Sequence, residues 1–379
     1  MDFTWTTEEL RFRDELRQFL DELVPKDYDS FALPEDDAAA DAKRFGAALA
    51  ERGYLTPAWP TRYGGSDASS WEQLIVAEEM IQHGEPRSLQ YMSVNYIGPS
   101  IMMAGTEEQK AFHLPRISRG EVMWCQGFSE SDAGSDLASL RTRATRRDDV
   151  YVVNGEKIWT SGADVADYCF LLARTDPTAK KHDGLSLFLV PMDTPGVQVT
   201  RIPSVIGEAA FHCLVFTDAE VSASNRLGPE NGGWSIVRRA LSFERTGIAK
   251  WARESKYLDR FAAWAREHGR DGDPVIRRRF AEAAAAVESS RILAMLIAHD
   301  RAKGRADSPA AYVYRIASIR AERMVMELGI ELYGPDALVE GTWANRQVRW
   351  GITAGIAGGS AEMQLNTVAQ LVLGLPRTT

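Results

Sequence analysis

The chain of 379 residues is long enough for two or three domains, and its content of 45% hydrophobic and 26% charged residues is typical of a soluble globular protein. Its 53 acidic residues exceed its 44 basic ones, and the net charge of -9 argues against nucleic-acid binding as the main activity. No apolar run approaches the roughly 20 residues that span a bilayer. The N-terminus also lacks the basic start and apolar core of a signal peptide, so we expect a cytoplasmic protein without a membrane segment.

The cysteines and histidines give no sign of a disulfide framework or a metal site. Cys125, Cys169 and Cys213 are odd in number and far apart, and the six histidines show no HxxxH spacing. The phosphate-binding patterns GxGxxG and GxxxxGK[ST] are absent. We therefore expect buried, unpaired thiols and no metal.

Residues 1–120 read as an all-helical domain. Thr6 and Glu9 form a capping-box pattern before apolar residues at helical spacing. Further helices are predicted from Asp36 to Gly53, Trp71 to His83 and Thr106 to Arg119.

Residues 121–227 read as a β-domain, a small sandwich or barrel, because short runs rich in Val, Tyr, Phe and Thr alternate with turn residues. Strands are predicted at 140–145, 150–159, 168–174, 185–190, 197–202 and 213–216. Asn154-Gly155 predicts a tight hairpin that would return Trp159 and Ser161 beside the polar loop 127–136. Such a pairing offers an aromatic wall, hydroxyls and backbone N–H groups to a planar ring.

Residues 228–379 return to a helical period. The predicted helices, long enough for an antiparallel four-helix bundle, are 234–267, 274–303, 310–333 and 356–373. The predicted architecture is therefore α, β, α, an α+β fold.

Four ordered motifs, and a fifth near Phe243-Glu244-Arg245, resemble the acyl-CoA dehydrogenase family and cover most of the chain. In chain order the four are Trp59-Pro60-x-x-Tyr63-Gly64-Gly65; Gly105-Thr106-Glu107-Glu108-Gln109-Lys110 with Leu114-Pro115 and Gly120-Glu121; Ser129-Glu130-x-x-Ala133-Gly134-Ser135-Asp136; and Gly155-x-Lys157-x-Trp159-x-Ser161. The resemblance implies the same α, β, α architecture. It also implies that FAD takes a hydride from the β-carbon of an acyl-CoA while a carboxylate removes the α-proton, which gives the trans-2-enoyl thioester.

Many members of the family carry the base on the C-terminal loop, where this chain has Gly358 in the run Ile356-Ala357-Gly358-Gly359-Ser360-Ala361-Glu362. Other members place it on the first helix after the β-domain, directly before an arginine, and that position is Glu244. An ordinary surface acid is the alternative for an arbitrary Phe-Glu-Arg triplet. Because Gly358 has no side chain, we predict Glu244 as the catalytic base, while the N–H of Gly358 would donate to the thioester oxygen.

The remaining site residues follow from the same resemblance. Phe128, Ser129, Trp159, Thr160 and Ser161 would contact the flavin ring, Gly358 and Ser360 would lie at the cofactor, and Ser135 and Arg245 would touch the acyl-CoA. A flavin contact by Glu362 stays open, since glutamine or another polar residue is commoner there.

Two segments depart from the family pattern. Homotetrameric members hold the ADP half of the flavin with an Arg-x-x-Phe-Gly turn and a Gln-x-x-Gly-Gly turn of a neighbour. The nearest runs here are Ala265-Arg266-Glu267-His268-Gly269 and Glu331-Leu332-Tyr333-Gly334-Pro335. A neighbour with the same substitutions would offer Glu331 and Pro335 where donors belong, and proline lacks an N–H. We therefore predict an α2β2 tetramer with a related subunit, with a homotetramer as the alternative.

Three activities remain compatible with the sequence: a dehydrogenase that passes electrons to an electron-transfer flavoprotein, which is favoured, an oxidase that uses oxygen, and a non-catalytic subunit. The missing base at Gly358 is reminiscent of members that act on branched, long or ring-bearing acyl groups, with steroid side chains as one candidate.

Overall fold

The computed structural model describes residues 3–30, 35–247, 249–305 and 308–376, without the side chains of residues 35, 36, 38, 208–210 and 241–247. Helices precede the sheet in the order α1 (Thr7–Leu23), α2 (Glu35–Glu51), α3 (Ser70–Gln82), α4 (Gln90–Met92), α5 (Gly98–Ala104) and α6 (Glu107–Ser118). After the sheet come α7 (Gly233–Gly247), α8 (Lys250–Glu267), α9 (Pro274–Ala302), α10 (Ala310–Tyr333), α11 (Trp343–Ile352) and α12 (Ala361–Thr367). The predicted α, β, α order is confirmed.

Eight strands form one sheet: β1 (Trp124–Gly127), β2 (Arg143–Arg147), β3 (Val150–Thr160), β4 (Tyr168–Arg174), β5 (Leu185–Pro191), β6 (Val197–Ser204), β7 (Gly207–Ser222) and β8 (Arg226–Leu227). Their order is β6-β7-β3-β2-β4-β5-β8, and β1 pairs in parallel with β4. The core of this sheet is formed by alternate side chains of β3, β4, β5 and β7, such as Tyr151, Val153, Phe188 and Leu214, all with no exposed surface.

The described chain forms two compact units. One unit contains Met1–Asp27, Ser69–Gly84 and Arg245–Thr379, and the other contains Tyr28–Ala68 and Glu85–Glu244. The predicted boundaries at 120 and 227 stay a prediction. In the portion of the chain that is described, no helix is both long and apolar enough to cross a bilayer.

In the first unit, α1 packs on α3, and α3 packs on α8 and α9. The predicted capping box is present, because Thr6 Oγ1 accepts the Glu9 amide at 3.2 Å and Glu9 Oε2 accepts the Thr6 amide at 2.8 Å. Arg17 Nη2 lies 2.8 Å from Oε1 of Glu79, whose side chain is 1% exposed. A buried carboxylate needs such a partner, so this pair helps to fix α1 on α3.

The predicted hairpin at Asn154-Gly155 is wrong. β3 runs through both residues, and its pairing with β7 shifts register between Val153 and Gly155, which marks a β-bulge. Gly155 has φ 143°, and a Cβ there would lie 2.7 Å from Thr142 Cα, so close approach of two backbones requires the glycine. The tight turn instead lies at Asp148-Asp149, between Arg147 and Val150.

Two predictions about helices also change, and one helix was not predicted. The helix expected over 234–267 is two helices, since α7 ends at Gly247 and α8 begins at Lys250. The helix expected from 356 begins at Ala361, because Gly355, Gly358 and Gly359 have φ of 88°, 69° and 88°. The sequence did not predict α11, which covers ten residues.

Candidate functional site

The loop that follows β1 lies beside the end of β3, as the sequence predicted, although no hairpin brings it there. The Ile158 N–H donates to the carbonyl of Ser129 at 2.9 Å, and Ser131 Oγ donates to Glu156 Oε1 at 3.1 Å. Phe128 is 5% exposed and its ring lies 5.9 Å from that of Phe170. The structure therefore brings Phe128 and Ser129 next to the strand that carries Trp159.

A buried ion pair fastens this loop to the strand. Lys157, with no exposed surface, donates from Nζ to Glu130 Oε1 at 2.8 Å and to the Phe128 carbonyl at 3.1 Å. Glu130 also accepts the backbone amides of Arg141 at 2.6 Å and Thr142 at 2.9 Å. Four hydrogen bonds thus converge on the loop and the strand.

Both members of this pair are charged at neutral pH. Burial lowers the pKa of Lys157 to about 8, because a desolvated ammonium is costly, and that value still lies above 7. Burial alone would raise the pKa of Glu130, but the Lys157 ammonium and its hydrogen bond, followed by the backbone amide of Arg141, bring it below its ordinary value. No role was predicted for these two residues. The signal was available, since Lys157 shares the inward side of β3 with Tyr151 and Val153.

Trp159 and Thr160 have opposite exposures at the end of β3. Trp159 is 53% exposed and has φ 59°, a left-handed backbone that bulky residues rarely adopt. Thr160 is 1% exposed, and its Oγ1 has no hydrogen-bond partner among the described residues. Ser161, next along the chain, is half-buried. An exposed indole beside a buried, unpaired hydroxyl suits a bound planar ring that carries hydrogen-bonding edges.

Gly358 and Ser360 belong to the other compact unit, in the loop between α11 and α12. Ser360 caps α12, where its Oγ accepts the Met363 amide at 3.3 Å. Arg315, which is 5% exposed, holds the same loop by donating from Nη2 to the carbonyl of Ala357 at 2.6 Å. The loop that would present the Gly358 N–H is therefore anchored to α10.

The other predicted residues are less constrained. Glu244 and Arg245 lie in α7, but their side chains lie outside the described ones, so their roles stay predictions. Ser135 and Glu362 are exposed, and the contact of Ser135 with the acyl-CoA stays a prediction.

The two segments that depart from the family pattern lie in an aromatic cluster. Trp264 stacks on His268 at 3.9 Å between ring centroids, and its ring lies 4.7 Å from Tyr333. A cavity of about 520 Å³ is lined by Trp264 and Tyr333 together with Trp343, Arg260, Glu267 and Asp336. The carboxylate of Glu331 lies 3.5 Å from Nε of Arg279. An arginine therefore offsets the negative charge that the sequence places at Glu331.

Comparisons with known proteins support one family for the whole chain. Residues 6–121, 125–219 and 231–373 match the acyl-CoA dehydrogenase N-terminal, middle and C-terminal domains. The chain is 33% identical over 350 residues to the acyl-CoA dehydrogenase IpdE1 of Mycobacterium tuberculosis, with 90% of each chain covered. It is 34% identical over 352 residues to FadE26 of the same organism, with 87% of each covered.

Two solved structures match the fold over the full length of both chains. The Tcur3481-Tcur3483 steroid ACAD has a TM-score of 0.89 at 30% identity. The ChsE4-ChsE5 complex from Mycobacterium tuberculosis has a TM-score of 0.87 at 30% identity. With three matching domains in order, close relatives along nearly the whole length and the same fold, this chain is a member of the acyl-CoA dehydrogenase family.

Proposed function

We propose that this acyl-CoA dehydrogenase uses FAD to convert an acyl-CoA thioester to the trans-2-enoyl-CoA and passes the electrons to an electron-transfer flavoprotein. The observation that carries the proposal is the pairing of the Phe128-Ser129 loop with the end of β3. It presents the exposed Trp159 and the unpaired hydroxyl of Thr160 on one continuous backbone. FAD, when bound there, would accept the hydride from the substrate's β-carbon.

The chain's own residues would supply the proton transfer. The α-proton of a thioester is weakly acidic, so its removal needs a placed base and donors aimed at the developing enolate oxygen. Glu244 is the proposed base. The alternative position, Gly358, offers only its N–H, and its φ of 69° disfavours a side chain there.

The proposed cofactor contacts comprise two groups. Phe128, Ser129, Trp159, Thr160 and Ser161 would lie against the flavin ring, and Gly358 and Ser360 would also contact the cofactor. Because Ser360 Oγ accepts the Met363 amide, its O–H keeps the ability to donate. Ser135 and Arg245 would bind the acyl-CoA.

The proposed substrate is a bulky acyl-CoA, with a steroid side chain as the candidate. This part rests on the missing base at Gly358 and on similarity to a protein described as a steroid ACAD. Other bulky acyl groups satisfy the same features. A panel of acyl-CoA esters, scored by bleaching of the flavin absorbance, discriminates among them.

The proposed assembly is α2β2 with a related subunit, in the cytoplasm. Similarity to a chain from a complex of two different proteins, ChsE4 and ChsE5, supports it. The departures at Glu331 and Pro335 support it further, because an acid and a residue without an N–H stand where homotetrameric members present donors. A homotetramer is the alternative.

The experiment is anaerobic reduction of the purified flavoprotein by an acyl-CoA that bleaches the wild-type flavin. Glu244→Gln should retain bound flavin and lose reduction by about 10²-10⁴-fold, since an amide has the carboxylate's shape without its basicity. Glu51→Gln, at an exposed position at the end of α2, is the matched control and should reduce normally. Near-normal reduction of Glu244→Gln would refute the base assignment.

Fast reoxidation of the reduced protein by air would indicate an oxidase, and absence of flavin would indicate a non-catalytic subunit.

A further inference from the structure

The end of β3 holds an unusual backbone around Trp159. From Gly155 opposite Phe216, pairing with β7 is regular as far as Lys157 opposite Leu214, then shifts register and resumes at Thr160 opposite His212. Two residues of β3 thus face one of β7, and Trp159 lies in this bulge with φ 59°. A tryptophan keeps a left-handed backbone conformation only where contacts with the surrounding residues hold it there.

Two contacts determine the backbone on either side of Trp159. On one side, the Ile158 N–H donates to the Ser129 carbonyl at 2.9 Å. On the other, His212 Nδ1 lies 3.3 Å from the carbonyl oxygen of Thr160. A carbonyl oxygen only accepts, so Nδ1 carries the proton in this contact. His212 has no exposed surface, so water does not compete for the bond.

A carboxylate orients the imidazole. His212 Nε2 lies 3.3 Å from Asp164 Oδ2, and the same oxygen lies 3.0 Å from Arg201 Nη2. Asp164 comes two residues after Gly162, whose φ of 62° lies in the left-handed region. The Asp164 carboxylate and the Thr160 carbonyl therefore lie beside the two nitrogens of the ring.

We propose that His212 is a positioning residue that holds the left-handed backbone of Trp159 through the Thr160 carbonyl, with Asp164 fixing its ring. This role of His212 rests on the proposed function, since Trp159 and Thr160 are the residues assigned there to the flavin ring. Without the imidazole donor, the bulge relaxes and the indole and the Thr160 hydroxyl lose their common orientation.

The test compares His212→Leu, which removes the donor, with His212→Gln, which retains an amide N–H donor. Amide hydrogen exchange is measured on the full chain without added flavin. We expect exchange of the Ile158 amide to be about tenfold faster in His212→Leu, the loss of one net hydrogen bond, and to return to within about threefold of wild type in His212→Gln. His182→Leu is the matched control, because His182 is exposed and its ring packs on Trp234.

The amides of β5, remote in the sheet order from this end of β3, report global stability, so the faster exchange at Ile158 is measured relative to theirs in each variant. Equal exchange in the Leu and Gln variants would overturn the proposal, since a packing role does not depend on the donor. A Leu variant that does not fold, beside a Gln variant that folds with slow exchange, supports it. If neither variant folds, the imidazole is required for packing of the core, and the proposal fails.

A second arm measures FAD binding by absorbance. His212→Leu should weaken FAD affinity about tenfold and shift the visible flavin bands, while His212→Gln should retain both. If the wild-type protein binds no FAD, the proposed function fails, yet hydrogen exchange still decides whether His212 positions the bulge.

Discussion

Lys157 and Glu130 form an ion pair, 2.8 Å from nitrogen to oxygen, with no exposed surface on Lys157 and 9% on the side chain of Glu130. The pair joins β3 to the loop after β1, the two segments that the proposed flavin face requires. Because both groups are desolvated, loss of either partner would strongly destabilise the folded protein.

Lys157→Met should therefore destabilise the protein by about 3-5 kcal/mol, since it leaves the Glu130 carboxylate buried without its countercharge. The measurement is urea unfolding. Lys181→Met is the control, because Lys181 pairs with Asp136 at an exposed position and should cost under about 1 kcal/mol. The double variant Lys157→Met/Glu130→Gln should recover part of the loss, and a double variant less stable than Lys157→Met would contradict the explanation.

His113 should make stability depend on pH between about 4 and 6.5. Its ring lies edge-on to Trp124 and Tyr168, each at 5.2 Å, and burial, with a contribution from Arg116, lowers its pKa to about 4. The unfolded chain therefore binds the proton first as the pH falls. Stability from this residue is full above pH 6.5 and decreases by up to about 3 kcal/mol as the pH falls to 4.

The measurement is the free energy of unfolding at pH 7 and pH 4 for the wild type and His113→Phe. The phenyl ring does not titrate, so the variant should lose about 3 kcal/mol less than the wild type over this interval. The same pH dependence in both proteins would show that His113 is not responsible.

Transfer of the base to the C-terminal loop should fail in this chain. Gly358 has φ 69°, and a side chain in that conformation costs about 1-2 kcal/mol. Gly358→Glu should lower stability by that amount and should not restore reduction to Glu244→Gln. Ile356→Glu, at a position 69% exposed, is the stability control. Substantial recovery of flavin reduction in the double variant would show that the loop accepts a base.

The proposed assembly predicts different results when the chain is expressed alone and when it is co-expressed with a related subunit. Alone, the chain should be poorly soluble or poor in flavin. Co-expressed with a related subunit that carries the intact Arg-x-x-Phe-Gly and Gln-x-x-Gly-Gly turns, it should elute as a heterotetramer with about two flavins per four chains. Size-exclusion chromatography with light scattering and flavin absorbance gives both numbers. A stable homotetramer with four tightly bound flavins would exclude the arrangement.

Local sequence patterns predicted the features that depend on neighbours along the chain. Capping residues, apolar periodicity and the family motifs identified most of the helices and the β-domain. The pairing of loop 127–136 with the end of β3 was predicted from a hairpin at Asn154-Gly155 that the structure does not contain. Asn154-Gly155 misled because its conformation depends on distant partners: Asn154 exchanges hydrogen bonds with Asp218, 64 residues away, at 3.0 and 2.9 Å. A contact between two residues so far apart in the chain produces no local sequence pattern.

His212 escaped prediction for the same reason. It is separated from Thr160 by 52 residues, and its contact with the Thr160 carbonyl forms only when β7 pairs with β3. Arg315 is similar, since its hydrogen bond to Ala357 spans 42 residues. Lys157 differs, because a lysine on the inward side of a strand already indicates a buried partner.

The packing of α3 has a consequence for how the chain is made. Gln82 donates from Nε2 to the Ala252 carbonyl at 3.0 Å, and its own carbonyl accepts Lys256 Nζ at 2.9 Å. α1 and α3 therefore complete their packing only with helices that leave the ribosome some 170 residues later. Until α8 and α9 are synthesised, the apolar faces of the first helices stay open to chaperones and to premature association. A ribosome-bound chain arrested before α8 should be the species most prone to aggregate.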